Sequence, residues 1–202
     1  NDNSDYKLNG NATKELYSHT LDYNDYLYIK NLPTNKTEKY AVFLEQPGPL
    51  YVADALTLNQ KKSILTEEKY FPSINKFFNF IEEKNKLSVI IAGHPDSKHD
   101  SISSHYGNRR VIYGEVGKLI KDCEFIVTKG STAISFAVLF SRPIIFYTTS
   151  EYHNTNFTKK AILAYSHSFN KTPINIDKDY IHMDFDQELL VDEKLYSLYE
   201  EN

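Results

Sequence analysis

Apolar positions along this chain follow two spacings, and the two alternate. Short apolar runs occupy residues 40–44, 87–92, 124–128, 143–147 and 173–176, and a further one at 109–113 opens with two arginines. Each is bounded by Gly, Pro or polar residues, the pattern of strands buried on both faces of a parallel sheet. Between the runs, apolar residues recur at intervals of three and four, the helical period. Ile74, Phe77, Phe78 and Ile81 fall in this way within 72–86, with Pro72 suited to a first turn. Val116, Leu119, Ile120 and Cys123 repeat the spacing in a shorter segment ending near Asp122. Residues 157–168 read as another helix, and 187–200 as one closing helix.

Strand and helix signals alternate six times. That predicts an α/β fold, a doubly wound, six-stranded parallel sheet of Rossmann-like form. With strand order 3-2-1-4-5-6, strands one and four adjoin at the switch point, and a ligand site lies beyond their carboxyl ends. The loops there are 45–49, 93–96, 114–115 and 129–132. The sheet domain is expected to span 39–202. Residues 1–38 are polar and rich in tyrosine (Tyr6, Tyr17, Tyr23, Tyr26, Tyr28), and read as a linker or N-terminal extension.

Composition narrows the function classes. The chain has 202 residues, a net charge of −4 and a pI near 6.0, which gives no basic footprint for nucleic acid. Cys123 is the only cysteine, so no intrachain disulfide can form, as fits a reducing, cytoplasmic setting. On the apolar face of its helix it reads as packing rather than as a nucleophile. No apolar run reaches the roughly 18 residues of a membrane span. The first residue is Asn rather than Met, and the expectation is a fragment of something longer. Peripheral membrane association through the full-length protein stays open.

The candidate chemistry gathers on the predicted loops. Residues 124–146 read as strand, turn, helix and strand, and the turn is Gly130-Ser131-Thr132. Glycine permits the sharp corner, and Ser131 and Thr132 are both helix-capping types. N–H groups at a helix start, with two hydroxyls, suit a phosphate; a plain helix cap is the alternative. His94 leaves a buried strand ahead of Pro95 and can donate to a phosphate oxygen; a loop-capping histidine is the alternative. Lys129 adds charge or is merely solvated. Arg110 either reaches the cleft or pairs with Glu115. His99, His105 and His153 have no metal-ligand spacing, and no HxH, HExxH or cysteine pair occurs, so no metal site is expected. Walker A, GxGxxG and GxSxG patterns are also absent.

From 40 to 176 the sequence resembles the C-terminal, donor-binding half of GT-B glycosyltransferases that build bacterial capsule and other surface polysaccharides. The resemblance rests on Tyr40-Ala41-Val42-Phe43-Leu44-Glu45-Gln46-Pro47, Gly93-His94-Pro95, the 110–114 segment, and the 130–137 segment with Pro143. The His-Pro and Ser-Thr pairs are similar to nucleotide-binding motifs of bacterial sialyl- and polysialyltransferases and of glycerophosphotransferases. It implies that His94, Pro95, Gly130, Ser131 and Thr132 bind the donor phosphate. Glu115 would sit near the sugar or ribose, and Glu45 and Arg110 are grouped with it as candidate contacts. The donor would be a CMP- or UDP-linked sugar, the acceptor a glycan, and no cofactor or metal is expected. The catalytic base in these families is an acidic pair followed by glycine in an N-terminal domain. No such motif occurs here, so the catalytic residue is unassigned and the isolated chain is expected to bind without transfer. Two rivals stand beside this reading. One is a non-hydrolysing nucleotide-sugar epimerase, whose glycine pair is missing. The other is a nucleotide-binding or regulatory domain without catalysis.

Overall fold

The computed structural model describes residues 21–34, 37–46, 48–49, 64–97, 102–154 and 156–200. Six strands, β1 Tyr40–Leu44, β2 Ser88–Gly93, β3 Val111–Tyr113, β4 Ile126–Thr128, β5 Ile144–Thr148 and β6 Ile174–Asn175, form one sheet in the order β3-β2-β1-β4-β5-β6. Every neighbouring pair is parallel. The doubly wound architecture is therefore present, with β1 and β4 adjoining at the switch point.

Alternation along the strands sorts the core into two layers. Ala41, Phe43, Val89, Ile91, Val127 and Ile145 point to one face. Helix α2, Glu67–Asn85, covers that face with Ile74, Phe77, Phe78 and Ile81, all without solvent exposure. Ile162 of α6, Asn156–His167, joins the same layer, as does Tyr106, just after the short α3, Ile102–His105. Val42, Leu44, Ile90, Ile126, Ile144 and Phe146 point to the other face. There they meet α4, Val116–Asp122, and α5, Ile134–Leu139. A sheet covered on both faces explains why β1, β4 and β5 read as unbroken apolar runs.

Several element boundaries differ from expectation, for local reasons. Helix α2 begins five residues before Pro72, because Glu151 anchors its start: the carboxylate accepts from the Thr66 N–H (3.0 Å) and hydroxyl (2.9 Å). Pro72 then lies inside the helix and removes one N–H from its ladder. The closing helix is broken into α7, Phe185–Glu188, and α8, Glu193–Glu200. Asp184 caps the first, and Asp192 Oδ1 accepts from the Leu195 N–H at 3.0 Å to start the second. Strand β3 begins after Arg109 and Arg110, both of which were expected within it.

Residues 1–20 of the tyrosine-rich segment lie outside the described residues. Leu21–Ile29 forms α1, which packs on α4 and α5 and so belongs to the folded unit. Gly117 makes this approach possible, since a Cβ there would stand 2.7 Å from Ile29 Cδ1. Tyr26 adds an edge-on contact to Phe140, ring centres 5.0 Å apart. Among the described residues no helix is long and apolar enough to cross a membrane.

Candidate functional site

The corner after β4 is built tightly. Thr128 is fully buried and its hydroxyl accepts the Gly130 N–H at 3.1 Å. Gly130 has φ +142°, a conformation that side chains disfavour, and the Tyr165 ring covers it. The chain then makes one more turn before α5 begins. Ser131 Oγ accepts the Ala133 N–H at 3.3 Å, and Ser131 O accepts the Ile134 N–H at 3.1 Å. Thr132 O accepts the Ser135 N–H at 3.2 Å. These contacts correct the expectation of an open helix start at Ser131. Helix α5 starts at Ile134, and its first N–H groups are already bonded within the protein. Among the described residues, only the Ser131 and Thr132 N–H groups of this corner lack an acceptor. Thr132 is exposed.

Sequence reasoning missed Asp22, which reaches this corner from α1. Its Oδ2 lies 2.5 Å from the Ser135 hydroxyl, which also lies 3.0 Å from Thr132 O. The separation of 113 residues leaves no local signal for such a contact.

The loops after β1 and β2 meet at Glu45. Its side chain is 6% exposed. Oε2 accepts the His94 N–H at 2.9 Å and the Ser97 hydroxyl, and Oε1 accepts the Tyr106 hydroxyl at 2.8 Å. Glu45 was grouped with the sugar or ribose contacts; with three protein donors and almost no exposure, its carboxylate is committed to the fold. His94 O in turn accepts from the Ser97 N–H at 3.0 Å, closing a 3-10 turn over Pro95–Ser97. Gly93 lies under the Tyr113 ring, where a Cβ would stand 2.4 Å from Cε1. Pro47, of the loop after β1, and His99 lie outside the described residues.

Beneath these loops is a patch of buried phenols. The hydroxyls of Tyr70 and Tyr147 are 3.1 Å apart. Tyr106 lies in the same buried layer. Burial lifts all three above the ordinary phenol range; Glu45 adds to the shift at Tyr70 and Tyr106, and the neighbouring phenols add to it at Tyr147. They therefore stay neutral donors. Lys129 does not stand alone in solvent: its Nζ donates to Tyr152 Oη at 2.7 Å and lies 4.6 Å from that ring's centre.

Two expected contributors lie elsewhere. Arg110 precedes β3 and pairs with Glu38, which precedes β1, so the pair sits at the amino edge, across the sheet from the corner. Arg110 therefore neither reaches the cleft nor bonds Glu115. Glu115 opens α4 at the carboxyl edge, where it is half exposed and 3.3 Å from Lys118 Nζ. Arg110, Glu115 and Glu38 all line a separate cavity of about 340 Å³ beside α4. Among the described residues no group of three His, Cys, Asp or Glu side chains is arranged to hold a metal ion. The His105 ring lies tilted against Phe71, ring centres 4.6 Å apart, and His153 Nε2 lies 3.2 Å from Thr148 Oγ1.

The structure therefore brings Glu45 and His94 into direct contact. The 130–132 corner shares their sheet edge, on the strand next to β1. What this edge offers is the Ser131 and Thr132 N–H groups and the Thr132 hydroxyl, which have no protein partner among the described residues. Such N–H donors suit an anionic ligand, with the Asp22 carboxylate held beside them on the Ser135 hydroxyl.

No family model and no curated protein matches the sequence. Solved structures with similar arrangements include UDP-GlcNAc 2-epimerase from Methanocaldococcus jannaschii, at 13% identity and a TM-score of 0.42 over 88% of this chain and 48% of that one. The same organism's enzyme in complex with UDP-GlcNAc and UDP gives 12% identity and a TM-score of 0.37 over 88% and 47%. The chain spans about half the length of these enzymes.

Proposed function

We propose that this chain is the donor-binding portion of a metal-independent GT-B glycosyltransferase acting on a surface-polysaccharide acceptor in the cytoplasm. The observation that carries the reading is the Gly130–Thr132 corner at the switch point of a 3-2-1-4-5-6 sheet. In open parallel sheets this is where ligands bind. Within the motifs that resemble those of capsule transferases, Glu45 follows β1, His94 and Pro95 follow β2, and the 130–132 turn follows β4, all at the carboxyl ends of their strands. The donor phosphate would take the Ser131 and Thr132 N–H groups and the Thr132 hydroxyl, with His94 opposite. An acceptor hydroxyl attacks the anomeric carbon, the bond to the leaving phosphate oxygen breaks, and the acceptor proton passes to a base. Charge grows on the leaving nucleotide, where fixed donors stabilise it. The base is unassigned; Glu45 is already bonded three ways and is not available for the role. The isolated chain then binds the donor without transferring sugar.

Thermal melts with CMP, UDP, GDP and ADP test this. One nucleotide should raise Tm, and Thr132→Ala should abolish the rise. No response to any of the four overturns the reading and leaves a domain with no nucleotide role.

A further inference from the structure

Glu45 is a buried carboxylate with an unusual set of partners. Its three donors come from two elements and approach both oxygens: His94 N–H and Ser97 Oγ on one, Tyr106 Oη on the other. A bare carboxylate at 6% exposure is costly unless such donors surround it. An apolar residue would fill the end of β1 at lower cost. A carboxylate does what an apolar residue cannot: it fixes a backbone N–H and a hydroxyl in the adjacent turn at once. The turn is also held from its other side. The Tyr113 ring lies over Gly93, and its hydroxyl approaches Ser97 O at 3.5 Å. Tyr106 shares its layer with the buried phenols Tyr70 and Tyr147, whose hydroxyls are 3.1 Å apart. Residues 93–97 are thereby fixed in position relative to β1, the strand next to the 130–132 corner.

We propose that Glu45 and Tyr106 are positioning residues, which set His94 for a phosphate-bearing ligand and touch no ligand themselves. The proposal rests on the nucleotide-binding reading above, and it reassigns Glu45 from contact to support. Its consequence is selective. Loosening Glu45 displaces His94 and so weakens attraction for the phosphate, while contacts to the nucleoside are kept.

The test uses Glu45→Gln, Tyr106→Phe and His94→Ala, singly and with the first and last combined. Binding of the nucleotide that stabilises the wild type is compared with binding of its nucleoside by calorimetry. Glu45→Gln and Tyr106→Phe should each weaken the nucleotide about tenfold and leave the nucleoside unchanged. In the His94→Ala background the further loss from Glu45→Gln should vanish, because the two act through one contact. Equal weakening of nucleotide and nucleoside, or additive losses, overturns the proposal. Amide exchange supplies a readout that needs no ligand. The His94 and Ser97 amides should exchange faster in Glu45→Gln and in Tyr106→Phe, with β1 and β4 amides unchanged. Unchanged exchange at His94 overturns the positioning role. Should the wild type bind none of the four nucleotides, the functional reading falls, and the amide result alone decides whether Glu45 holds the turn. Tyr106→Phe removes only a hydroxyl, so it keeps the test available if Glu45→Gln fails to fold.

Discussion

The ring of Tyr165 lies so close over Gly130 that a Cβ on Gly130 would stand 2.7 Å from Tyr165 Cδ2. Two constraints meet at this position. The ring leaves no room, and φ of +142° disfavours any side chain. Gly130→Ala should therefore lower stability by about 1–3 kcal/mol. Tyr165 is 43% exposed and its ring can swing away. Truncating it as well should restore only a minor part of the loss. Urea melts of the single and double variants separate the two causes; full recovery in the double variant would show that the ring alone is responsible.

Arg109 holds α2 to the start of β3. Nε and Nη2 donate to the two oxygens of Glu82 at 2.9 and 2.6 Å, and Nη1 reaches Asn75 Oδ1 and Tyr106 O. The Arg109 side chain is 10% exposed and lies over the Phe78 ring. A lysine cannot reproduce the two-pronged contact. Arg109→Lys should cost roughly 2–3 kcal/mol, the scale of breaking a largely buried pair. A loss below about 0.5 kcal/mol in chemical melts would refute this clamp.

Phe78 is the meeting point of the same layer. It has no exposure and packs edge-on against Phe43, ring centres 5.0 Å apart. Phe78→Ala should cost about 3–5 kcal/mol. A loss below about 1 kcal/mol would mean that the layer closes over the void.

Burial pushes the Cys123 thiol up to about 12 from an ordinary 9.0, and the Tyr40 phenol up to about 12 from 10.0. Both groups hold their protons more tightly when folded. Their contribution is complete below the unfolded value and is lost as pH climbs to the folded one. Stability should therefore be flat below about pH 9 with respect to these groups and fall between about pH 9 and 12. Cys123→Ala should flatten the first part of that fall. Iodoacetamide should label Cys123 only on unfolding; labelling of the native protein would contradict a sealed thiol.

The core was legible in the sequence because it is periodic. Ile74, Phe77, Phe78, Ile81, Leu119 and Ile120 repeat at the helical period and are buried, and Val89, Ile91, Ile126 and Ile145 lie in the apolar runs and are buried too. Strand and helix alternation predicted the parallel sheet, and the assumed order 3-2-1-4-5-6 is the one observed. What the sequence hid depends on contacts between distant residues. The start of α2 is fixed by Glu151, 85 residues beyond Thr66. Helix α1 is weakly amphipathic by composition, with Leu21 and Tyr28 exposed, so nothing periodic marked it. Arg110 and Glu115 are five residues apart in sequence, yet the length of β3 separates them, with Arg110 at the amino edge and Glu115 at the carboxyl edge. At the corner, Ser131 and Thr132 are equally good capping types on paper. Only the backbone path shows that Ser131 serves the turn and Thr132 is exposed.

That division yields the sharpest test of the site. Ser131 Oγ accepts the Ala133 N–H, so its hydroxyl contributes to the fold. The Thr132 side chain bonds no protein group among the described residues. Ser131→Ala should lower stability by about 1 kcal/mol, the cost of a lost cap. Thr132→Ala should change stability by less than about 0.5 kcal/mol, as an exposed substitution does. For nucleotide binding the larger effect should come from Thr132→Ala. Removing a hydroxyl that donates to a phosphate should weaken affinity by about 1–3 kcal/mol, and His94→Ala should weaken it on the same scale. Urea melts beside nucleotide titrations of the three variants check each part. Thr132→Ala that loses stability and keeps its affinity would make the corner a plain structural turn.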